Sequence, residues 1–423
     1  MKVTVFPSVL KGETDVPRSK SIAQRSLALA LLSPQETVIH KFPNSSDCKA
    51  ALDIIRTLGA VVSENGDVLD IRGGFPNNFQ ADIRQPKYLI HTGESGLAAR
   101  MFMPIAALWH EEIVMEGQGT LLKRSMITHE EWLPCLGVKV VLKDHKLPAR
   151  VHGPLLGGKI HSEGTASSQF ITGLLIAGSA TKKGIELEIE QVPSKPYIET
   201  TMAVAKQFGI QMESWEGGYK VEGAQRFEPL EMVVDGDWSG AAFLLVAAAL
   251  CAEEGVLIKG LNEEIPQADQ AILEVLTLAR VKWEKTSQGY RVWASRIKAF
   301  EFDATHCPDL FPILAVLAVM GDGPSIIKGV SRLSDKESNR GKAIQHEWSK
   351  MGVNTVIRGD ELKVYPKAIQ TAHVHAHDDH RMAMALSVMA MAGATLTIHG
   401  AECVSKSFPD FFETIQFLGA RVE

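Results

Sequence analysis

The sequence predicts an α/β protein of six repeated units grouped into two domains. Three observations support this: a recurring helix-ending motif, helix starts at a nearly constant interval, and a last unit that lacks its closing strand. Two apolar helical runs precede each copy of the motif, so each unit is interpreted as a βαβαββ element. The apolar segment 2–6 is the candidate to complete the last unit.

The helix-ending motif is an apolar residue, then Gly, then alternating apolar residues. Glycine is favoured just after a helix because it adopts the left-handed conformation at little cost, and the alternation beyond it predicts a strand. The copies are spaced 67 to 78 residues apart, with Ala in place of Gly in the fourth. Their centres are Gly59, Gly137, Gly209, Ala279, Gly352 and Gly419.

The first helix of each unit begins at a similar interval of 70 to 74 residues. An apolar run follows every one of these starts, and serine is a natural N-cap residue. Ser19 and Ser21 fill this role in the first unit. The six starts are near Ser21, Ser95, Ser168, Ser239, Asp309 and His380.

Six units fit two domains of three. We expect one domain at 18–234 and the other at 235–423 together with 1–17. The chain then crosses between the domains twice, near 17–18 and near 234–237. A continuous αβ solenoid is the simpler alternative, but two closed domains give the N-terminal strand a place in the last unit.

The composition limits the function classes. Hydrophobic residues make up 45% of the chain and charged residues 22%, as in soluble globular proteins. The net charge of −6 argues against nucleic-acid or membrane partners bound through bulk charge. No signal peptide or membrane span is apparent, and the five cysteines form no metal or disulfide spacing. We expect a cytoplasmic monomer.

Cationic and hydroxyl residues recur at the predicted helix N-termini. Such a terminus carries partial positive charge and suits phosphate or carboxylate. For one segment alone, such as 17–25, an ordinary capped helix is the simpler interpretation, and the recurrence favours anion binding. If the domains face each other across a cleft, its cations are Lys20, Arg25, Arg124, Lys336, Arg340, Arg381 and Lys406.

So much positive charge exceeds the need of one small anion. Two anionic ligands, at least one of them phosphorylated, fit it better. Asp309 and Glu337 are the carboxylates available to move protons among these cations, with Lys20 as a third acid–base group. A histidine stripe at 373–380 offers a different hypothesis, a transition-metal site. A Gly-rich nucleotide loop and a nucleophile elbow are both missing from the sequence.

Seven short motifs carry a resemblance to a known family. They lie in order at 19–25, 167–170, 194–197, 236–239, 336–340, 379–384 and 406–410. Together they resemble the EPSP synthase (3-phosphoshikimate 1-carboxyvinyltransferase) family over essentially the whole chain. The resemblance implies two domains, each an inside-out α/β barrel of three units, with a ligand cleft between them.

The resemblance also implies a reaction. The carboxyvinyl group of phosphoenolpyruvate passes to the 5-hydroxyl of shikimate 3-phosphate, and phosphate is released through a tetrahedral intermediate. No metal or organic cofactor is implied. Asp309 would accept the hydroxyl proton, and Glu337 would handle the proton at the phosphoenolpyruvate methylene.

Ligand contacts are implied residue by residue. Shikimate 3-phosphate would be held by Lys20, Ser21, Arg25, Ser167, Ser168, Gln169, Ser194, Tyr197, Asp309 and Lys336. Phosphoenolpyruvate would be held by Lys20, Gly96, Arg124, Gln169, Arg340, Arg381 and Lys406.

Several positions depart from the family pattern. Arg18 stands where Gly is usual, Glu94 replaces Asn or Asp, and Leu97 replaces Thr. A carboxylate at Glu94 should repel a bound phosphate, so it either pairs with a cation or points away. Three alternatives stay open: the related enolpyruvyl transferase that acts on UDP-N-acetylglucosamine, an inactive anion-binding relative, and a metal hydrolase that uses the histidine stripe.

Overall fold

The chain divides into two compact domains. The computed structural model describes residues 1–74, 89–165, 167–192, 194–334 and 336–423. By internal contacts the first domain is Arg18–Val234, and the second combines Met1–Pro17 with Asp235–Glu423. Among the described residues, no helix is both long enough and apolar enough to cross a membrane.

Helices and strands alternate along both domains. The helices are α1 (Lys20–Leu32), α2 (Ser46–Thr57), α3 (Gly96–Ala106), α4 (Ile127–Trp132), α5 (Ser168–Ala180), α6 (Pro196–Gln207), α7 (Trp238–Cys251), α8 (Ile272–Leu278), α9 (Phe311–Val319), α10 (Arg340–Lys350), α11 (His380–Ala392) and α12 (Phe411–Phe417). The strands are β1 (Lys2–Val5), β2 (Gly12–Asp15), β3 (Glu36–His40), β4 (Val61–Asn65), β5 (Val68–Arg72), β6 (Leu89–His91), β7 (Glu112–Glu116), β8 (Lys139–Lys143), β9 (Lys146–His152), β10 (Gly158–Thr165), β11 (Ile185–Gln191), β12 (Met212–Trp215), β13 (Gly218–Val221), β14 (Leu230–Val233), β15 (Val256–Lys259), β16 (Lys282–Lys285), β17 (Gly289–Trp293), β18 (Glu301–Asp303), β19 (Ser325–Lys328), β20 (Thr355–Arg358), β21 (Glu361–Val364), β22 (Ala372–His375) and β23 (Leu396–His399).

The described strands form six separate sheets rather than one closed barrel. In each four-stranded sheet the first strand lies parallel to the second, and the other two pair antiparallel, as in β6-β7-β9-β8. The same order holds for β14-β3-β5-β4, β10-β11-β13-β12, β2-β15-β17-β16 and β18-β19-β21-β20. The predicted repeated α/β architecture is therefore confirmed.

The N-terminal strand completes the sixth unit, as predicted. β1 pairs antiparallel with β23, from Lys2 opposite His399 to Val5 opposite Leu396. Val5 also bridges Val422, which occupies the place of the unfinished closing strand. The first and last residues of the chain thus stabilise one sheet.

An exchange of strands at the crossings was not predicted. β2 supplies the first strand of the fourth unit by pairing parallel with β15, and β14 does the same for the first unit by pairing with β3. The exchange is therefore between repeated units and not between domains. β2 precedes Pro17 and belongs to the second domain, as β15 does, whereas β14 ends before Val234 and belongs to the first, as β3 does. As a result, each domain contains three sheets, and the first strand of every sheet pairs with the second.

Three buried helices form the centre of each domain. α1, α3 and α5 pack on one another in the first domain, and α7, α9 and α11 do so in the second. Their residues are buried nearly all round: every residue of α9 and 12 residues of α7 are buried. A helix that is apolar on all sides must be covered by other elements, and the sheets provide that cover.

The predicted glycine-like position of the fourth unit is wrong by one residue. Ala279 is the C-cap of α8 with φ of −75°, which corresponds to Leu58 at the end of α2. The left-handed residue is Arg280, with φ of 56°. The fourth copy of the motif contains no Gly, so the sequence does not mark which residue adopts the left-handed conformation.

We expect Arg280→Gly to stabilise the fold by about 0.5–1 kcal/mol, because glycine adopts the left-handed conformation without steric cost. Gly352→Ala is the matched opposite change. It has φ of 79°, and a Cβ there would first meet the Gln370 side chain at 3.3 Å, so a loss of about 1 kcal/mol is expected. Urea denaturation midpoints measure both, and a destabilised Arg280→Gly variant would contradict the assignment.

Candidate functional site

Polar side chains gather where the central helices begin. In the first domain, Ser95 caps α3 and its hydroxyl also contacts Gln24 of α1 at 3.2 Å. In the second, Asp309 precedes α9 and contacts Arg381 in the first turn of α11 at 3.0 Å. Since the bodies of these helices are apolar and covered, their first turns are the polar places at which a ligand can bind.

Arg25 joins α1 to α6 in the first domain. Its Nε donates to Thr201 Oγ1 at 2.9 Å, Nη1 to the Ser21 carbonyl at 2.8 Å, and Nη2 to the Tyr197 carbonyl at 3.0 Å. Only 1% of Arg25 is exposed, and this burial lowers its pKa to about 10, so it stays charged at neutral pH. Arg25 therefore fixes the predicted ligand contacts Ser21 and Tyr197 in one place.

Lys20 begins α1 and makes an ion pair that the sequence did not predict. Ser19 caps the helix by accepting from the Ile22 N–H. The Lys20 Nζ lies 2.8 Å from Asp47 Oδ2 in the first turn of α2, and both side chains are mostly buried. An anion that binds Lys20 must therefore compete with Asp47.

Two guanidinium groups lie against Gly96 at the start of α3. A Cβ placed on Gly96 would be 2.5 Å from Arg124 Nη1 and 3.1 Å from Arg100 Nη1. Arg100 donates to the Gln169 side chain at 3.2 Å and to the Ser125 carbonyl at 3.3 Å. The absence of a side chain at Gly96 thus makes room for a cationic site. Arg100 was not among the predicted ligand contacts.

The start of α5 and the start of α6 carry the remaining predicted contacts of the first domain. Ser167 caps α5 by accepting from the Gln169 N–H at 3.3 Å, and Ser168 is the first helical residue. Ser194 precedes α6 in a left-handed conformation, with φ of 63°, and is buried. A non-glycine residue in this conformation is strained, and such strain is concentrated at functional sites.

Glu94 accepts a hydrogen bond from the Thr120 N–H at 3.4 Å. Its carboxylate lies over Gly119, where any side chain would collide with it. The departure from the family pattern at Glu94 is therefore accommodated by the backbone at the start of the following 3-10 turn.

Asp309 is the centre of the charged cluster in the second domain. Its Oδ1 contacts Arg340 Nη1 at 2.7 Å and Lys336 Nζ at 3.4 Å, and its Oδ2 contacts Arg381 Nη2 at 3.0 Å. Burial alone would raise the pKa of Asp309, but the charges of Arg381, Lys336 and Arg340 outweigh it and hold that pKa well below its usual range. Asp309 is therefore ionised, and in this arrangement it is a weak base.

Arg340 links three carboxylates from a fully buried position. Its Nε donates to Asp379 Oδ2 at 2.8 Å, its Nη2 to Glu337 Oε2 at 2.6 Å, and its Nη1 to Asp309. Burial would lower the pKa of Arg340, but Asp379, Glu337 and Asp309 raise it well above its usual value. Asp379 was not among the predicted site residues, although it caps α11 by accepting from the Arg381 N–H at 3.0 Å.

Lys336 stands at the edge of this cluster. Burial lowers its pKa, and the neighbouring Arg340 and Arg381 add to that effect, while Asp309 and Glu337 oppose it. The predicted acid–base residues Asp309 and Glu337 thus lie with the predicted anion-binding residues Lys336, Arg340 and Arg381 in one network.

Lys406 is held by a strained turn. Its Nζ donates to the Asp378 carbonyl at 2.7 Å, and both His377 and Asp378 have φ of 55°. The buried carboxylate of Glu347, in α10, holds this turn in place through hydrogen bonds. It accepts from His377 Nε2 at 2.7 Å, from the His375 N–H at 2.9 Å and from Lys350 at 2.8 Å. The sequence did not predict the role of Glu347 in this turn, because its partners His375 and His377 lie 28 and 30 residues further on.

The histidine stripe is distributed over this turn and its strand. His373 and His375 belong to β22, and His373 stacks near His399 of β23 at 5.9 Å between ring centres. Within the described ranges, no group of three or more His, Cys, Asp or Glu side chains is placed to hold a metal ion. His377 instead serves the Glu347 network.

Comparisons with known proteins agree on one family. The sequence model of EPSP synthase (3-phosphoshikimate 1-carboxyvinyltransferase) matches residues 6–415. The 3-phosphoshikimate 1-carboxyvinyltransferase of Clostridium kluyveri is 32% identical over 425 residues, covering 100% of this chain and 98% of the relative. Those of Halobacterium salinarum and Methanocorpusculum labreanum are each 34% identical, with 99% of both chains covered.

A solved structure supports the fold. EPSP synthase from Acinetobacter baumannii superposes with a TM-score of 0.83 at 22% identity, covering 100% of this chain and 99% of that one. At this identity the likeness concerns the fold alone.

We expect Glu347→Gln to destabilise the protein by about 2 kcal/mol at neutral pH, because it removes the charge that accepts hydrogen bonds from His377 and Lys350. Burial would raise the pKa of Glu347, but hydrogen bonds from His377, Lys350 and the His375 N–H lower it to about 2. A carboxyl with a lowered pKa stabilises the folded state above its ordinary pKa of 4.5, and that contribution is lost as the pH falls toward 2.

The free energy of unfolding of parent and variant, measured between pH 7 and pH 3, checks this expectation. The difference should shrink below about pH 4.5, where the unfolded carboxyl begins to take up a proton. Glu413→Gln, at an exposed position of α12, is the matched control and should change little. A Glu347→Gln variant as stable as the parent at pH 7 would remove Glu347 from this role.

Proposed function

The chain belongs to the EPSP synthase family, and we propose that it transfers the carboxyvinyl group of phosphoenolpyruvate to the 5-hydroxyl of shikimate 3-phosphate. The products are 5-enolpyruvylshikimate 3-phosphate and phosphate. The family match over residues 6–415 carries this proposal. The cluster of carboxylates and cations around Arg340 supports it chemically.

The reaction is an addition followed by an elimination. A proton is added to the methylene carbon of phosphoenolpyruvate, which makes C2 electrophilic, and the substrate hydroxyl attacks C2 as it loses its proton. The tetrahedral intermediate then loses phosphate and a methyl proton. Fixed cations stabilise phosphate and carboxylate throughout these steps.

Asp309 is proposed as the base for the hydroxyl proton. Arg340 and Arg381, which hold its pKa down, are also proposed to bind phosphoenolpyruvate. When the anionic ligand takes up part of their charge, their hold on Asp309 weakens and its pKa rises. The carboxylate would thus become an effective base only once its co-substrate is bound.

Glu337 is proposed to carry the proton at the methylene carbon. It shares Arg340 with Asp309, through an Oε2–Nη2 distance of 2.6 Å, and is 19% exposed at the side chain. Asp309 and Glu337 both contact the guanidinium group of Arg340. When one of the two carboxylates takes up a proton, the positive charge of Arg340 can balance the other. Lys20, at the start of α1, is the third acid–base group.

The first domain is proposed to supply most contacts to shikimate 3-phosphate. Ser21 and Tyr197 are fixed by Arg25, while Ser167, Ser168 and Gln169 lie at the start of α5. Lys20, Arg25 and Ser194 complete this set, and Asp309 and Lys336 are its members from the second domain. Gly96, Arg124, Gln169 and Lys20 are proposed for phosphoenolpyruvate, together with Arg340, Arg381 and Lys406.

The activity is tested by phosphate release from phosphoenolpyruvate with purified protein. We expect release that requires shikimate 3-phosphate and persists in the presence of a chelator, since the proposed chemistry uses no metal. UDP-N-acetylglucosamine should not replace shikimate 3-phosphate. Release with the nucleotide sugar alone would contradict the proposal and favour the related transferase, and no release with either acceptor would favour an inactive relative.

Asp309→Asn tests the base. Because the amide cannot accept a proton, turnover should fall by about 10² to 10⁴. Shikimate 3-phosphate binding, measured by calorimetry, should remain detectable. Asp303→Asn, at an exposed carboxylate of β18, is the control and should keep turnover near that of the parent. Undiminished turnover of Asp309→Asn would exclude Asp309 from proton transfer.

Gly96→Ala tests the cationic site of the first domain. The new methyl group would lie 2.5 Å from Arg124 Nη1 and must displace it. The KM for phosphoenolpyruvate should rise by about tenfold, equivalent to roughly 1.4 kcal/mol, while shikimate 3-phosphate affinity changes less. Gly323→Ala serves as the control, since its Cβ would meet Ala299 at an ordinary 3.4 Å. An equal loss of affinity for both ligands would contradict the assignment.

A further inference from the structure

Asp269 is a buried carboxyl group to which the proposed reaction gives no role. It lies in the turn Ala268–Ala271 and is 2% exposed. Its Oδ2 accepts a hydrogen bond from the Ser239 hydroxyl in the first turn of α7. Its Oδ1 is also buried and has no hydrogen-bond partner in the described part of the chain. Such an oxygen is costly when charged, so this position favours the protonated form.

The turn that carries Asp269 is fixed to the start of α7. Gln267 Nε2 donates to the Gly236 carbonyl at 2.8 Å, and its Oε1 accepts from the Trp238 N–H at 3.3 Å. Together with the Ser239 contact, these bonds join the turn to the start of α7 and hold the Asp269 carboxyl group in its buried position.

Helix α7 also packs against the turn Pro308–Leu310, which carries Asp309. Burial raises the pKa of Asp269 to about 7, and the charges of Asp309 and Asp237 raise it as well. Arg381 and the Ser239 hydrogen bond act in the opposite direction. Glu274 of the adjoining α8 is exposed. The titratable groups near Asp269 are therefore Asp309, Asp237, Arg381 and the buried Cys307 thiol, whose pKa is raised by burial and by the charges of Asp269 and Asp309.

We propose that Asp269 is a positioning residue whose charge sets the affinity of the Asp309–Arg381 pair for an anionic ligand. When Asp269 is protonated, it adds no negative charge near Arg381, which already contacts Asp309 at 3.0 Å. When Asp269 is ionised, a second negative charge competes for Arg381 and repels an incoming anion. This inference rests on the proposed function in one respect, that phosphoenolpyruvate is the anion bound at Arg381.

The test compares the parent with Asp269→Asn between pH 6 and pH 8.5. Asparagine stays uncharged at every pH and retains an oxygen for Ser239. The KM for phosphoenolpyruvate of the parent, relative to that of Asp269→Asn, should rise by about tenfold across this range, as expected for one added charge nearby. The ionisation of the ligand itself is common to both proteins and cancels in the ratio.

Glu274→Gln is the matched control, because it removes an exposed carboxylate from the adjoining helix. Its KM should follow that of the parent at every pH. A ratio between parent and Asp269→Asn that does not change with pH would overturn the proposal, because a purely structural role would shift KM equally throughout.

Thermal melting supplies a second measurement that needs no activity. A carboxyl whose pKa is raised by folding favours the folded state in acid, and that advantage is lost as the pH rises through about 7. The difference between the melting temperature of Asp269→Asn and that of the parent should therefore increase in favour of the variant between pH 6 and pH 8.5. A constant difference would overturn the proposal. If no turnover is found with any variant, the proposed function fails, while these melting curves still decide the charge of Asp269.

Discussion

The central helices impose the constraint on which the rest of the structure depends. Because α7 and α9 are apolar on all sides, each must be covered by neighbouring helices and by sheets along its length. Their first turns are then the places where backbone N–H groups meet polar side chains. The repeated architecture thus places several helix N-termini in each domain, and the charged and hydroxyl residues of this chain lie at those termini. The position of the site is a consequence of how the core is covered.

Such a site must hold charges in buried positions. Arg340 and Asp379 are both fully buried, and an isolated charge there would cost several kcal/mol. Here several groups of opposite charge contact one another. The Arg340 guanidinium contacts Asp379, Glu337 and Asp309, and Asp309 also contacts Lys336 and Arg381. Arg340 and Asp309 are thus each balanced by three partners of opposite charge. An anionic ligand can therefore enter by exchange of partners, without exposing an unpaired charge.

Local sequence signals predicted local features well. Apolar runs at a nearly constant interval predicted the central helices, and the unfinished last unit predicted the place of β1. The signals failed where a contact joins distant segments. The exchange of β2 and β14, the Lys20–Asp47 pair and the Glu347 network link residues that no periodicity connects. Arg280 was missed for a different reason, since a left-handed residue without glycine carries no compositional mark.

Asp309 illustrates why residue identity alone is insufficient to assign a role. A carboxylate among cations can be interpreted as a base or as a structural counter-ion. Its lowered pKa, which results from three cations that outweigh burial, favours the role of counter-ion in the protein without ligands. The two interpretations are compatible if the cations that suppress its basicity are the ones that bind the co-substrate. The same contacts would then keep Asp309 unreactive until phosphoenolpyruvate is bound and activate it afterwards, which couples proton transfer to the presence of both substrates.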